Sequence, residues 1–209
     1  EACKGCPMYD NGKGFVPDEL VDGAGVMLIG QSPGADEEHA GRPFVGKTGQ
    51  VMEQHFFPIA GLERGRNVSL GNTLRCRRTV GGKRVNDMPS DDTLERAVAH
   101  CTQAHLRIPQ STRLIVAHGA HAWRALTGLH GHENGIHDWR GFVAHMPGLP
   151  RSGGGTAQGG LPCLASLHTA DLFHEPRMTL AAERDWAKIP RILRGEWPAE
   201  LPWRDTRHG

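Results

Sequence analysis

Val26-Met27-Leu28-Ile29-Gly30-Gln31-Ser32-Pro33-Gly34 is the stretch whose reading decides the fold. Four consecutive apolar residues ending at a glycine describe a strand buried on both faces, the kind found in a parallel sheet covered by helices. The glycines and proline that follow force a shaped loop and let backbone N–H groups approach a ligand closely. Outward from this point, short apolar runs keep alternating with amphipathic stretches. Gly46 to Ile59 has apolar residues at helical intervals, closed by Pro58 and Gly61, and Asn67–Leu74 reads as a strand. Ser90-Asp91-Asp92 supplies an N-cap for a helix running through Leu106. Leu114–Ala117 is a third strand, followed by Gly119 and a helix from Ala120 to Leu126 that stops at Gly128. Phe142–Ala144 and Leu161–Leu167 add two strands, and Thr179–Leu193 a last helix, whereas Pro147–Gly160 is Gly-rich and reads as a mobile loop. The pattern predicts a single α/β domain, a central and mainly parallel sheet flanked by helices, over residues 1–194, with 195–209 an irregular tail. Ligands in such sheets collect beyond the carboxyl ends of the strands, so the segments after Ile29, Leu74, Val116 and Leu167 are expected to converge.

A chain of 209 residues buries enough surface to need no disulfide scaffold, and 38% hydrophobic with 22% charged residues excludes a disordered chain. The longest apolar runs, Val26–Ile29 and Leu114–Ala117, fall far short of the roughly 20 residues of a membrane-spanning helix. Glu1-Ala2-Cys3 offers neither a basic start nor an apolar signal core, so secretion has no support and a cytoplasmic, membrane-free protein is expected; a monomer is expected as well. Lys and Arg number 24 against 23 acids, a net charge of +1, which excludes a uniformly basic coat. A local basic patch does exist: Arg75, Arg77, Arg78, Lys83 and Arg84 fall in one ten-residue window.

Five cysteines in such a chain point to metal or catalysis before disulfides. Cys3 and Cys6 form a C-x-x-C that grips one metal from a single turn; Cys76 sits in the basic segment, and Cys101 follows. Four thiolates suit zinc and an iron–sulfur cluster equally. Cys163, inside an apolar run, reads as a buried strand residue. Gly41 to Thr48 spells G-R-P-F-V-G-K-T, a phosphate-loop pattern, but it lies about ten residues beyond the strand and holds Pro and Phe inside the loop, which argues against nucleotide hydrolysis.

Together these segments resemble the uracil-DNA glycosylase superfamily in its iron–sulfur family 4 form. Gly30–Gln50 is similar to the family's first motif, and Leu70-Gly71-Asn72-Thr73-Leu74-Arg75-Cys76-Arg77 to its strand ending in Asn before a Lys-Cys-Arg segment. Ala97–Cys101 resembles the helix with the last cluster cysteine, and Ser166-Leu167-His168-Thr169-Ala170-Asp171-Leu172 the H-P-S-x-x-L loop. The resemblance implies a DNA N-glycosylase that flips out and excises uracil or a related pyrimidine, leaving an abasic site in single- or double-stranded DNA. It implies that Phe44 stacks on the base, that Asn72 reads its edge beside Ser32, and that His168 stabilises the departing anion. Leu172 and Phe173 become candidates for the wedge that fills the vacated stack. Gly34, Gly46 and the Ser166–Thr169 loop would clamp phosphates, with Arg75, Arg77, Arg78, Lys83 and Arg84 on the DNA backbone. A 4Fe-4S cluster is implied at Cys3, Cys6, Cys76 and Cys101, with a structural role.

Two departures stand out. The family has Glu after the leading Gly, where it positions the attacking water; this chain has Gln31, which can orient a water but not accept its proton. Asp87, or less favourably Asp36, is the candidate for the missing carboxylate. Gly81-Gly82-Lys83-Arg84 matches the inserted basic loop of a cross-linking subgroup, yet Val85–Pro89 lacks the His that forms the bond to sugar. Altered pocket residues leave two alternatives: excision of a bulky modified pyrimidine, such as those of viral DNA, in defence, or a non-catalytic cluster-bearing DNA-binding module.

Overall fold

A computed structural model of the chain describes residues 3–8, 14–80, 83–85, 92–129, 135–146, 149, 152 and 160–196, as backbone alone at 78–80, 83–85 and 92. Five strands form the central sheet: β1 (Val26–Gly30), β2 (Val68–Asn72), β5 (Leu114–His118), β6 (Val143–Met146) and β7 (Leu161–Ser166), in the order β2-β1-β5-β7-β6. All neighbours pair in parallel except β6, which runs antiparallel to β7 at the edge. The expected α/β class and mainly parallel sheet are borne out. β1, β2 and β5 are buried at every position, as an apolar run between two helical layers requires.

Register aligns the strand ends. Gly30 pairs with Asn72, Ile29 with Ala117, and His118 with Ser166, so Gly30, Asn72, His118 and Ser166 lie in one row across four strands. Beyond that row are α1 (Ala35–Ala40), α2 (Lys47–Val51), α5 (Ala120–Thr127) and α6 (Thr169–His174). The outer edge of β2 is covered by an N-terminal strap. Glu19 and Leu70 exchange backbone hydrogen bonds at 2.8 and 2.9 Å, and Val16 N–H donates to the Arg75 carbonyl at 2.7 Å. A covered edge has no free ladder to offer another chain.

Several expectations change in detail. The expected helix from Gly46 to Ile59 is α2, a π-turn over Met52–Phe56 and α3 (Phe57–Ala60). Pro58 lacks the N–H for an ordinary helical bond, and the Phe57 N–H reaches Met52, five residues back. Thr179–Leu193 is two helices, α7 (Thr179–Trp186) and α8 (Ile189–Leu193), because Pro190 cannot donate to Trp186. The turn-rich segment after β1 contains α1, which buries no residue and so leaves no apolar period to read. Part of the basic window forms two short antiparallel strands, β3 (Arg78–Val80) and β4 (Lys83–Val85). α4 (Asp92–His105) matches its expected span, but its capping residues Ser90 and Asp91 lie outside the described residues, as do most of Pro147–Gly160 and the tail from 197. Cys163 is a fully buried strand residue, as expected. Among the described residues no helix is long and apolar enough to cross a membrane.

Candidate active site and cysteine recess

A half-open cleft lies beyond the aligned strand ends, where ligands collect in parallel sheets. Ser32, Gly34, Asp36 and Glu37 line it from the segment after β1, and Phe44, Gly46, Lys47 and Thr48 from the loop entering α2. Asn72 ends β2 beneath it, and His168 follows β7. Phe44, Asn72 and His168 therefore share one cavity. Gln31, half-buried, is not among the lining residues; its carbonyl accepts from Thr73 Oγ1 and Leu74 N–H, both at 2.9 Å. Asp87 lies outside the described residues.

The floor is built under constraint. Phe44 has φ of 53°, a left-handed conformation that bulky side chains rarely adopt. Arg64 holds it there, donating to the carbonyls of Phe44 at 2.9 Å and Pro43 at 2.7 Å while paired with Glu19 and Glu53. Those two carboxylates keep the Arg64 guanidinium firmly charged. A β-carbon on Gly49 would overlap the Phe44 carbonyl, so only glycine allows the loop to fold back this far. At Gly30 a β-carbon would stand 2.7 Å from both the Asn72 side-chain oxygen and the Phe44 ring tip, so the glycine lets ring and amide converge.

Glu37 is a structural strut that the sequence did not single out. One carboxylate oxygen accepts from Gly34 N–H at 3.0 Å; the other accepts from Val45 and Gly46 N–H at 2.9 and 2.7 Å. The N–H groups of Gly34 and Gly46, expected at phosphates, are thus engaged by an acid. Asp36, one residue earlier and exposed, is the other carboxylate on the cleft.

His168 caps α6, and its Nδ1 accepts the Ala170 N–H at 3.2 Å. An accepting nitrogen carries no proton, so a neutral ring has its hydrogen on Nε2. Burial pushes the His168 pKa down, opposed by Asp171 and aided by His121. Leu172, expected as a wedge, is 8% exposed and packed in the core, because the segment is a helix with an inner face; Phe173 is 49% exposed.

Arg75 differs from its expected place on the DNA surface. It is 2% exposed, donating to the Asn72 carbonyl at 2.6 Å and to Asp18 at 2.5 Å. Burial raises the Asp18 pKa against the pull of this guanidinium. Arg77 lies 3.6 Å from Glu38; the side chains of Arg78, Lys83 and Arg84 are outside the described residues.

Cys3, Cys6, Cys76 and Cys101 line a second recess with Leu74, Arg75, His100 and His105. None of the four is joined in a disulfide; Cys3 Sγ lies 3.1 Å from His105 Nε2, and Met8 N–H donates to Cys6 Sγ at 3.4 Å. Four soft donors converging on an apolar recess fit an iron–sulfur cluster. Among the described residues, no three His, Cys, Asp or Glu side chains already stand in an ion-holding arrangement.

The family model for the uracil DNA glycosylase superfamily matches residues 17–192. The chain belongs to that superfamily. Its relatives include the Type-4 uracil-DNA glycosylase of Pyrobaculum aerophilum, 41% identical over 75 residues that make up 36% of this chain and 37% of that protein. The Type-4 uracil-DNA glycosylase of Sulfurisphaera tokodaii is 38% identical over 76 residues, 36% of this chain and 34% of its own. That of Thermotoga maritima is 31% identical over 75 residues, 36% and 38%. These matches span little more than a third of the length of each relative. As a glycosylase-superfamily chain, it carries the familiar first and last motifs on the two sides of one cleft.

Proposed function

We propose that this protein is a DNA glycosylase of base excision repair that releases uracil from DNA as the free base. The observation that supports it most is the single cavity shared by Phe44, Asn72 and His168 at the ends of parallel strands. The relatives' names carry uracil, which gives uracil precedence over modified pyrimidines.

A flipped base enters the cleft, its ring lies against Phe44, and the Asn72 amide supplies both donor and acceptor to its edge, with Ser32 beside it. The bond from base nitrogen to C1′ breaks with its electron pair moving onto the base, leaving an oxocarbenium-like sugar. The His168 Nε2–H donates a hydrogen bond to the carbonyl oxygen where the negative charge collects; this contact strengthens as the bond lengthens. Water then adds at C1′ and gives its proton to a carboxylate. Asp36, exposed on the cleft beside the engaged Glu37, takes that proton, Gln31 orients the water, and Asp87 is the alternative base.

Cys3, Cys6, Cys76 and Cys101 would hold a 4Fe-4S cluster, which would tie the N-terminal segment rigidly to the chain after β2. Arg77, Arg78, Lys83 and Arg84 contact the DNA backbone, and Phe173 enters the vacated stack. The protein acts as a monomer. Incubation with uracil-containing single- and double-stranded oligonucleotides, followed by hot alkali, tests the reading. Strand scission at uracil is expected, and intact strands at every enzyme concentration would overturn it.

A further inference from the structure

The last residue of β5, His118, is fully buried and lies directly behind His168. The two imidazoles are 4.6 Å apart at 38°. On its other sides His118 meets the Phe44 ring at 6.1 Å and the Trp186 ring at 6.3 Å. Its Nε2 accepts the Thr169 N–H at 3.1 Å and is 3.3 Å from Thr169 Oγ1. The first two N–H groups of α6, those of Thr169 and Ala170, are therefore satisfied by the Nε2 of His118 and the Nδ1 of His168. His118 Nδ1 is buried with no partner. A leucine here would avoid that cost, so packing alone does not account for the residue.

We propose that His118 is a positioning residue for His168: it anchors the start of α6 by accepting the Thr169 N–H and fixes the neighbouring ring as a neutral Nε2–H donor toward the departing base. The proposal rests on the reading of His168 as that donor. With Nε2 accepting, a neutral His118 carries its proton on Nδ1. Charging it would place a cation in a sealed site, against a second imidazole and facing an N–H donor. Burial and then His168 both push its pKa well down, in keeping with this. The titratable groups around the pair are His121 from α5 and Asp171 from α6, while α7 presents the Trp186 ring. Gly119 completes the arrangement: with φ of 92°, a β-carbon there would come within 3.1 Å of the His168 side chain.

The test compares wild-type protein with His118→Leu, which removes the acceptor, and His118→Gln, which restores one. Single-turnover uracil release and the imidazole ¹⁵N shifts of His168 are measured from neutral to acid pH. In His118→Leu, release is expected to fall about 100-fold, as for a displaced catalytic group, with KM unchanged. The His168 Nε2–H signature should blur and its titration move. His118→Gln should recover most of the rate and the signature. A His118→Leu protein with the wild-type rate and pH profile, or one slowed with the His168 signature unchanged, would overturn the proposal. If His118→Leu fails to fold, His118→Gln decides alone: loss of the Nε2–H signature there refutes the anchoring role. If wild-type protein releases no uracil, the functional reading fails, while the ¹⁵N spectra still decide whether His118 sets the state of His168.

Discussion

The carbonyl of Phe44 lies so close over Gly49 that no side chain fits between them. A backbone oxygen cannot rotate away as a side chain does, so the loop must move if Gly49 gains even a methyl group. Gly49→Ala should displace the Phe44 ring and reduce base release by about 100-fold, the penalty of a displacement near 1 Å. Single-turnover release from a uracil oligonucleotide measures it, alongside oligonucleotide binding, which should fall far less.

Asp36 and Glu37 separate by role although adjacent. Asp36→Asn leaves the loop bonds intact and should slow release by about 10²- to 10⁴-fold, the usual contribution of a general base. Glu37→Gln turns one of the two oxygens that together serve three N–H groups into a donor and should lower the melting temperature as well. An unchanged rate in Asp36→Asn would transfer the base role to Asp87.

The histidine pair fixes the sign of two pH effects. Release needs neutral His168, whose pKa is lowered by burial, so the rate should stay level through neutral pH and drop only below the ordinary imidazole value of 6.5. For stability, the unfolded chain takes up a proton on His118 near 6.5 while the folded chain resists until much lower pH. The unfolded state therefore binds more protons in this window, and stability is full above 6.5 and lost as the pH falls below it. Melting curves of wild type and His118→Leu between neutral and acid pH should show a shallower fall in the variant.

Arg75→Ala should destabilise the fold by about 3–5 kcal/mol, because Asp18 is left charged and unpaired in a buried place. The arginines of the β3–β4 pair should behave differently. Arg78→Ala is expected to leave the melting temperature unchanged, weaken DNA binding and reduce its salt slope by about one counterion. Thermal melts and binding titrations at several salt concentrations distinguish the two.

Much of this was legible in the chain. Buried parallel strands announce themselves as unbroken apolar runs, so Val26–Gly30, Val68–Asn72 and Leu114–His118 were found nearly to the residue. Phe44, Asn72 and His168 lay in motifs distinctive enough to be picked out one by one. α1 is not legible in the sequence because it buries nothing, and the β3–β4 pairing is not because a run of basic residues hides the Gly81-Gly82 turn signal. Arg75 was misplaced since sequence cannot show that Asp18, 57 residues away, reaches it. His118 does not stand out among 13 histidines; its position as the last residue of a wholly buried strand is the available clue.

Arg75 also bears on how the protein ages. One guanidinium ties the carbonyl of Asn72 to Asp18 on the strap, and its own residue borders the cysteine recess. A proteolytic nick ahead of Asp18, or oxidation of the thiols, would slacken the grip on Asn72 while the sheet survives. On the proposed role of Asn72, a worn molecule would then lose its discernment between bases before it loses its shape.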